Sequence, residues 1–437
     1  MSFETTRNYL SCLGGHSLAP DRDESFLCFQ DLPFSLDLLP SSAYLVGGAV
    51  RDALLQRKGA YLDLDFVLPE NAIEIAEKIA RQYHWGFVVL DEQRQIARVV
   101  FSEGTVDFAR QEGDSLEKDL QRRDFTINAI AYNFHQQKLL DPLGGLPDLH
   151  KGLIRMVSVA NLKDDPLRLL RAYRQAAQLN FTIEPETRQT ICSLSHLIDR
   201  VAAERVQTEL KYLFANPQGS QWLIAAGEDG LLKPWFSELD REKFQQLKQI
   251  KAIANSLAQT YNNSLFNQPD YLSFAHLASL VSLSPEQAEL ELLKLKYSRT
   301  QLRTVLGVVK YLPQLQALNT ELTLREQYFF FLATKEFFPI LVIRAIVTGV
   351  NQKILAPLIE NYLNPDNKIA HPQPLITGKE LMATLNLKPA PIIGKLLTEI
   401  QIAQGEGKIT TTEEALKFAS HLLESKSPDN QQPITNN

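Results

Sequence analysis

Residues 44–68, YLVGGAVRDALLQRKGAYLDLDFVL, predict a strand, a glycine pair, a short helix and a second strand in close succession. The first strand, at 44–46, runs directly into the glycines, and the helix follows at 49–56. In the second strand residues two apart share a face, so Asp63 and Asp65 project together. Because N–H groups at a helix start can face phosphate oxygens, the segment predicts phosphate binding beside a pair of carboxylates.

The paired carboxylates predict a metal site. Two ionised carboxylates on one face repel each other unless cations lie between them, and Asp oxygens are hard ligands suited to Mg²⁺. In a two-metal site one ion activates a 3′-hydroxyl for in-line attack, and the other neutralises the triphosphate and the leaving pyrophosphate. Asp63 and Asp65 are therefore predicted to be catalytic, with two Mg²⁺ ions as the cofactor. Taken alone, an Asp-Leu-Asp triplet is also typical of the end of an edge strand.

Further motifs make the functional interpretation more specific than the triplet alone. In chain order the motifs are LVGGAVRD at 45–52, RRDFTINA at 122–129, DPLGGLPDL at 141–149, DDPLRLLRAYR at 164–174 and ERVQTELKYLF at 204–214. Together with the aspartate pair, they resemble the class II tRNA nucleotidyltransferase and bacterial poly(A) polymerase family, of the polymerase-β-type nucleotidyltransferase superfamily. A weaker similarity to the helical C-terminal part of these enzymes appears at 376–400.

The resemblance and the residue pattern together predict an α+β fold. A polymerase-β-like nucleotidyltransferase head, a mixed sheet with helices, is followed by an all-helical neck, body and tail. Runs typical of strands at 86–90, 95–101 and 104–109 belong to the head, and helical patterns follow residue 164, with long stretches at 284–297, 320–333 and 376–404. The predicted domains are an N-terminal extension (1–42), the catalytic head (43–157), a helical neck with the nucleotide-selecting helix (158–220), a helical body (221–364), an RNA-binding helical tail (365–424) and a disordered tail (425–437).

The segment 164–174 is predicted to be one helix on which Asp165, Arg168, Arg171 and Arg174 form a stripe. Cytosine and adenine both present an amine donor beside a ring-nitrogen acceptor, which a carboxylate and a guanidinium can bind, whereas uracil and guanine present the reverse polarity. The resemblance implies that Asp165 and Arg168 face the base. It implies contacts to the triphosphate or sugar by Gly48, Arg51, Arg123, Arg171 and Arg174. The alternative is that the arginines form surface salt bridges along an amphipathic helix.

Two other acidic residues have less specific predictions. Asp52 is expected to brace Arg51. Asp107 lies on the predicted strand GTVDFA, near Arg110, and is either a further acidic group of the site or a structural partner for an arginine.

The connection between Asp107 and the RRDFTINA motif is short. In the family that this chain resembles, enzymes that complete the CCA end carry a longer mobile loop here, and relatives that stop after CC look trimmed. This chain resembles the trimmed kind, so the leading prediction is a CC-adding tRNA nucleotidyltransferase that acts on the tRNA 3′ end with CTP and needs a separate A-adding enzyme. The alternatives are a complete CCA-adding enzyme that uses CTP and ATP, a bacterial poly(A) polymerase, or a non-catalytic RNA-binding protein on the same fold.

Composition predicts a multi-domain cytoplasmic protein. The 437 residues exceed what one core usually holds, and 44% are hydrophobic. No segment reads as membrane-spanning, and residues 1–25 lack the pattern of a signal peptide. Only three cysteines are present, Cys12, Cys28 and Cys192, and they are far apart in sequence without metal-ligand spacing, so neither a disulfide framework nor a structural zinc site is predicted. The net charge of −6 means that RNA binding depends on local clusters of Lys and Arg.

Overall fold

The computed structural model describes residues 32–57, 59 and 61–424. Most of the predicted N-terminal extension and the predicted disordered tail at 425–437 lie outside the described residues. The chain divides into two compact units, with the boundary between Pro234 and Trp235. Residues 221–234, which we predicted as the start of the helical body, lie within the first unit.

The first unit contains a seven-stranded mixed sheet. Its strands are β1 (Tyr44–Val46), β2 (Leu62–Leu68), β3 (Gly86–Asp91), β4 (Ile96–Phe101), β5 (Gly104–Arg110), β6 (Ala131–Asn133) and β7 (Lys138–Leu140). Their order in the sheet is β3-β4-β5-β2-β1-β6-β7. The central pair β2 and β5 is parallel, and the other neighbours are antiparallel. The predicted mixed sheet of the head is therefore confirmed.

Helices surround this sheet and continue beyond it. They are α1 (Gly48–Leu54), α2 (Ala72–Tyr83), α3 (Leu116–Gln121), α4 (Gly145–Lys151), α5 (Val159–Asp164), α6 (Leu167–Leu179), α7 (Pro185–Leu194), α8 (Ala203–Ala215) and α9 (Gly219–Glu228). A small parallel pair, β8 (Leu153–Ile154) and β9 (Thr182–Ile183), and short 3-10 helices at Leu36–Leu38, Thr126–Asn128 and Ser195–Arg200 complete the unit.

The core of the head lies between α2 and one face of the sheet. Ile79 of α2 is fully buried, as are Val99 of β4 and Val106 and Phe108 of β5, which face it. Phe108 also stacks on Phe66 of β2, with ring centroids 5.5 Å apart. Since alternate residues of a strand point to opposite faces, the polar residues between these positions are directed to the other face of the sheet.

The second unit is helical throughout its described residues. Its helices are α10 (Arg241–Thr260), α11 (Pro269–Leu280), α12 (Pro285–Lys294), α13 (Arg299–Gln316), α14 (Leu324–Thr334), α15 (Phe338–Val347), α16 (Gln352–Leu363), α17 (Gly378–Thr384), α18 (Pro391–Gly405) and α19 (Thr412–Glu424), with a 3-10 helix at Ser264–Asn267. The apolar helix α15 packs against α10, α11 and α13. A second cluster, which includes Leu381, Leu396 and Ile400, joins α17, α18 and α19.

The helical prediction for the C-terminal half is confirmed, and the long helical stretch predicted at 376–404 consists of more than one helix. The stretch divides into α17 and α18, and Asn386 between them has a left-handed φ of 50°. Pro389 and Pro391 follow, and proline lacks the N–H that a continuous helix needs. Within the described residues, no helix is both long and apolar enough to cross a membrane.

Candidate active site

Three carboxylates lie on the face of the sheet that α2 leaves uncovered. The register of β2 and β5 places Asp65 opposite Asp107 and Asp63 opposite Thr105. The Thr105 hydroxyl donates to Asp63 Oδ1 over 2.8 Å. Arg98 of β4 donates to both oxygens of Asp107, each over 2.7 Å. Asp107 thus has an arginine partner, Arg98 rather than the neighbouring Arg110, and lies beside the predicted metal-binding pair.

Asp65 is the most perturbed carboxyl of this group. Burial raises its pKa from 3.8 to about 6. Arg123 lowers the pKa, while the charges of Asp63 and Asp107 raise it further. Among the described residues, neither Asp63 nor Asp65 forms an ion pair within 4.0 Å. The negative charge of Asp63 and Asp65 is therefore not fully compensated by the basic residues near them.

The donor set fits a divalent cation that is bound partly by substrate. The described part of the chain contains no cluster of three or more His, Cys, Asp or Glu side chains arranged to hold a metal. Asp63 and Asp65 supply two hard oxygen donors, and Mg²⁺ is usually held by one or two carboxylates together with substrate phosphates and water. The raised pKa of Asp65 agrees with such a site. Burial disfavours the ionised carboxylate, and a nearby cation would favour it.

The glycine turn brings the backbone close to the carboxylate pair. Gly47 has a φ of +76°, and a Cβ built there would lie 3.0 Å from Arg123 Nη1 and 3.4 Å from Asp65 Oδ2. The turn leads into α1, which begins at Gly48. Arg123 itself approaches Asp119 at 3.5 Å, and its buried Nε has no hydrogen-bond partner among the described residues. The turn, Arg123 and Asp65 therefore form one surface.

Arg51 is held in place by two neighbours. Its Nε and Nη2 donate to the Asp52 carboxylate over 2.9 and 3.0 Å, and its Nη1 donates to Asn128 Oδ1 over 2.7 Å. The predicted bracing of Arg51 by Asp52 is confirmed. Asn128 belongs to the RRDFTINA motif, so this contact links the first and second sequence motifs in space.

The predicted single helix over 164–174 is wrong at its start. Helix α5 ends at Asp164, Asp165 is extended (φ −131°, ψ 90°), and α6 begins only after Pro166. A proline disfavours helical backbone in the residue before it, which explains the break. Arg168, Arg171 and Arg174 lie on α6, whereas Asp165 stands at the junction of the two helices and not on their stripe.

Asp165 and Arg168 have protein partners in this structure. Arg205 of α8 donates to both oxygens of Asp165, over 3.1 and 2.9 Å. Burial opposes ionisation of Asp165, but the hydrogen bonds and charge of Arg205 hold its pKa below the ordinary value. Arg168 Nη1 donates to the carbonyl oxygens of Arg122 and Asn161, over 2.8 and 3.1 Å. Its buried Nε has no partner among the described residues.

Arg171 and Arg174 share one buried carboxylate, Glu209 of α8. Arg171 lies 3.4 Å from Glu209 Oε1 and 3.2 Å from Asp124 Oδ2. Arg174 donates through Nε to the other Glu209 oxygen, and its guanidinium carbon lies 5.7 Å from the centre of the exposed Tyr212 ring. The arginine end of the site is thus compensated internally by acidic residues.

Sequence reasoning missed four of these partners: Arg98, Asp124, Arg205 and Glu209. Arg205 and Glu209 lie four residues apart in the ERVQTEL motif, a spacing that places two side chains on one face of a helix. Asp124 lies within RRDFTINA. The sequence motifs therefore contained Asp124, Arg205 and Glu209. Which arginine or carboxylate each of them pairs with depends on contacts between helices distant in sequence and could not be predicted.

The connection from β5 to α3 is as short as predicted, spanning only residues 111–115. Gln111 N–H donates to the carbonyl of Leu68 over 2.7 Å, and Glu112 N–H donates to Asp119 over 2.9 Å. The side chain of Asp114 pairs with Lys118 at 2.8 Å. Glu112 pairs with Arg122 as well, so the connection is tied to the sheet and to α3 along its length.

Comparison with known proteins yields matches along most of the chain. Residues 43–155 match the Poly A polymerase head domain, 180–243 match the probable RNA and SrmB-binding site of polymerase A, and 268–419 match the tRNA nucleotidyltransferase domain 2. A CC-adding tRNA nucleotidyltransferase from a Synechocystis species is 52% identical over 90% of this chain and 96% of its own length. An A-adding tRNA nucleotidyltransferase from Deinococcus radiodurans is 31% identical over 88% of this chain and 96% of its own.

A solved structure shares the fold. The Thermotoga maritima CCA-adding enzyme, determined in complex with tRNA, superposes with a TM-score of 0.68 over 87% of this chain and 91% of its own, at 23% identity. These proteins carry three different names for nucleotide choice, so the fold alone does not identify which nucleotides are added.

Proposed function

The chain belongs to the tRNA nucleotidyltransferase and poly(A) polymerase family, and on that premise we propose that it adds two cytidine residues from CTP to the tRNA 3′ end without a template. The observation that carries this proposal is the short, tied connection at 111–115 beside an intact carboxylate pair. The relative at 52% identity that is named as CC-adding supports it.

Nucleotidyltransferases of this family generally use divalent metal ions, and we propose two Mg²⁺ ions bound by Asp63 and Asp65. When bound, they supply activation of the 3′-hydroxyl and neutralisation of the charge that develops on pyrophosphate. Asp63 keeps its orientation through the Thr105 hydroxyl. Without metal, the Asp65 carboxyl has a pKa of about 6, so it is mostly ionised at neutral pH and able to bind a cation.

We propose that the arginine groups bind the triphosphate by exchanging partners. Arg171 and Arg174 are paired with Glu209, and a phosphate oxygen can take the place of a carboxylate oxygen without leaving the guanidinium uncompensated. Three further groups near the glycine turn complete the proposed triphosphate ligands: the N–H of Gly48 and the side chains of Arg51 and Arg123. Glu209 then orients the two arginines between turnovers.

Base selection is assigned in this proposal to Asp165 and Arg168. A carboxylate that accepts from an exocyclic amine and a guanidinium that donates to the ring nitrogen match cytosine. Arg205 occupies both oxygens of Asp165 in this structure, so binding of CTP requires Asp165 to release or share one of them. Arg205 thereby fixes the direction from which Asp165 meets the base.

The stop after two additions follows from the connection. A single pocket can change from CTP to ATP only if Asp165 and Arg168 shift relative to the bound nucleotide, which requires a second conformation with its own contacts. Residues 111–115 are held by backbone hydrogen bonds and ion pairs, and offer little length for such a movement. A separate A-adding enzyme would then complete the CCA end.

A complete CCA-adding enzyme is the second candidate, because adenine presents the same amine donor and ring-nitrogen acceptor as cytosine to Asp165 and Arg168. The domain roles also remain proposals: catalysis at 43–157, nucleotide selection at 158–220, and RNA binding at 365–424, where Lys379 and Lys395 are exposed. A cytoplasmic location stays a prediction from the sequence.

The test supplies purified protein and Mg²⁺ with tRNA transcripts that lack CCA, and adds CTP alone, ATP alone or both. Products are resolved at single nucleotides. We expect two added C residues whenever CTP is present, and nothing from ATP alone. A third residue added at a rate like that of the first two identifies a CCA-adding enzyme, and a long tail from ATP identifies a poly(A) polymerase.

A further inference from the structure

Among the described residues, the β3 edge of the head sheet presents exposed apolar residues on the same face as the carboxylates. In β3 and β4, Val88 is 50% exposed and Val100 is 39% exposed. Val88 lies opposite Arg98, which lies opposite Asp107, which lies opposite Asp65. Residues opposite each other on neighbouring strands share a face, so Val88 belongs to the row that ends at Asp65.

A second row runs parallel to the first. Gly86 lies opposite Val100, Val100 opposite Thr105, and Thr105 opposite Asp63. We call the surface formed by Gly86, Val88 and Val100 the valine shelf. Neighbouring strands are about 4.8 Å apart, so Val100 lies about 10 Å from Asp63 along its row and Val88 about 14 Å from Asp65 along the other. The shelf is therefore within one or two nucleotides of the predicted metal site.

The geometry of in-line displacement determines on which side of the metal site the 3′ end of the RNA lies. In-line displacement places the attacking hydroxyl and the leaving pyrophosphate on opposite sides of the phosphorus. The proposed triphosphate ligands Arg51 and Arg123 lie near the glycine turn that follows β1, and β1 and β5 flank β2 on opposite sides. The attacking hydroxyl must then arrive over β5, from the side of β4 and β3.

We propose that the valine shelf binds the 3′-terminal nucleotides of the acceptor RNA strand and directs the terminal hydroxyl to Asp63 and Asp65. The inference rests on the proposed function. Apolar contact with a base or ribose does not depend on the identity of the base. That tolerance suits a strand whose terminal nucleotide changes after each addition. Arg98, 40% exposed and paired with Asp107, lies between the valines and the carboxylates, so part of its guanidinium remains accessible beside the proposed path of the strand.

Adjacent positions on β3 provide a matched test. Val88 and Val89 are similarly exposed, at 50% and 43%, but Val89 points to the face that α2 covers. We expect Val88→Ser to raise the KM for tRNA lacking CCA about fivefold, because it removes the apolar contact, and to leave the KM for CTP within about twofold. Val89→Ser should change neither constant by more than about twofold, and Val88→Ile should keep the wild-type KM for tRNA.

Cross-linking provides a second readout that does not depend on turnover. A photoreactive amino acid at position 88 should cross-link to the terminal nucleotides of 3′-labelled tRNA, and the same group at 89 should not. The shelf is overturned if the wild type adds C normally while Val88→Ser matches it and position 88 gives no cross-link. It is also overturned if position 88 cross-links two protein chains and Val88→Ser dissociates an oligomer. A wild type that extends no RNA refutes the proposed function itself, and the shelf with it.

Discussion

The two ends of the candidate site treat charge in opposite ways. On the sheet, neither Asp63 nor Asp65 has an ion-pair partner among the described residues, and burial raises the pKa of Asp65 to about 6. On the helices, Asp165 is held by Arg205, and Glu209 is shared by Arg171 and Arg174. Under the proposed function, the sheet end gains from binding cations, whereas Asp165, Arg171 and Arg174 at the helix end exchange existing partners when CTP binds.

This difference separates the two tasks of a nucleotidyltransferase. A site that gains from any divalent cation does not distinguish between bases, and it serves catalysis alike for every nucleotide. A site whose charges are already paired binds only a ligand that replaces each hydrogen bond it breaks, because an unpaired buried charge is costly. Selectivity is therefore expected to reside at the helix end and rate at the sheet end.

The largest expected effect is at the sheet end. Asp63→Ala and Asp65→Ala should each reduce C addition by at least about a thousandfold, because each removes a metal ligand. The decrease should appear in single-turnover rates at saturating CTP. Both variants should retain cooperative thermal unfolding. A rate within about tenfold of wild type for either variant would contradict the assignment of the carboxylates to catalysis.

At the helix end, Arg205→Ala should raise the KM for CTP about tenfold and weaken discrimination against UTP, because Asp165 loses the two hydrogen bonds that orient it. The matched control is Lys211→Ala, which removes an exposed charge from the same helix. Steady-state measurements with each nucleotide separate the two. An equal loss of rate for CTP and UTP would instead show that Arg205 stabilises the fold and does not contribute to nucleotide selection.

A third prediction concerns pH and stability. The raised pKa of Asp65 means that the folded protein keeps a proton which the unfolded chain has lost, so the contribution of Asp65 to stability falls as the pH rises from about 4 to about 6 and is then constant. Asp65→Asn removes this penalty. In EDTA above pH 6 the variant should be more stable than the wild type by about 1–3 kcal/mol, and the two should converge near pH 4.

Urea unfolding across that range measures the difference. Millimolar Mg²⁺ at pH 7 should stabilise the wild type and not the variant, since only the wild type retains both carboxylates. Identical pH profiles for the two proteins would show that Asp65 is not electrostatically strained.

The smallest effect is expected in the connection at 111–115. The ion pairs of Glu112 and Asp114 are exposed, and exposed pairs contribute about 0–1 kcal/mol. The double variant Glu112→Ala, Asp114→Ala should keep the rate of C addition within about twofold, and its product should still end in CC. Addition of A by this variant would show that the ion pairs, and not the length of the connection, impose the stop.

Local patterns predicted the sheet end well and the helix end less well. The alternation of Leu62–Leu68 was sufficient to place Asp63 and Asp65 on one face, because the period of a strand is a local property. The spacing of the charged residues at 165–174 favoured one helix, although Pro166 was visible in the sequence. The helix is broken there because a proline disfavours helical backbone in the residue before it, Asp165.

The partners of the arginines could not be predicted in the same way. Asp124, Glu209 and Arg171 come together from segments separated by 38 or more residues. Several acidic residues could have compensated each arginine, and only the packing of α6 against α8 chooses among them. Charge pairing at the helix end is a tertiary property, whereas the placement of Asp63 and Asp65 on one face is set within the single strand β2.

The parallel pairing of β2 with β5 has a consequence for folding. Asp63 and Thr105 are 42 residues apart in sequence, and α2, β3 and β4 lie between them. The antiparallel contacts of β3, β4 and β5 close short loops and should form early, whereas β2 joins β5 only after a long loop closes. The acidic face therefore comes into being at a late step, and chains that stall before it should be compact, partly ordered and unable to bind metal.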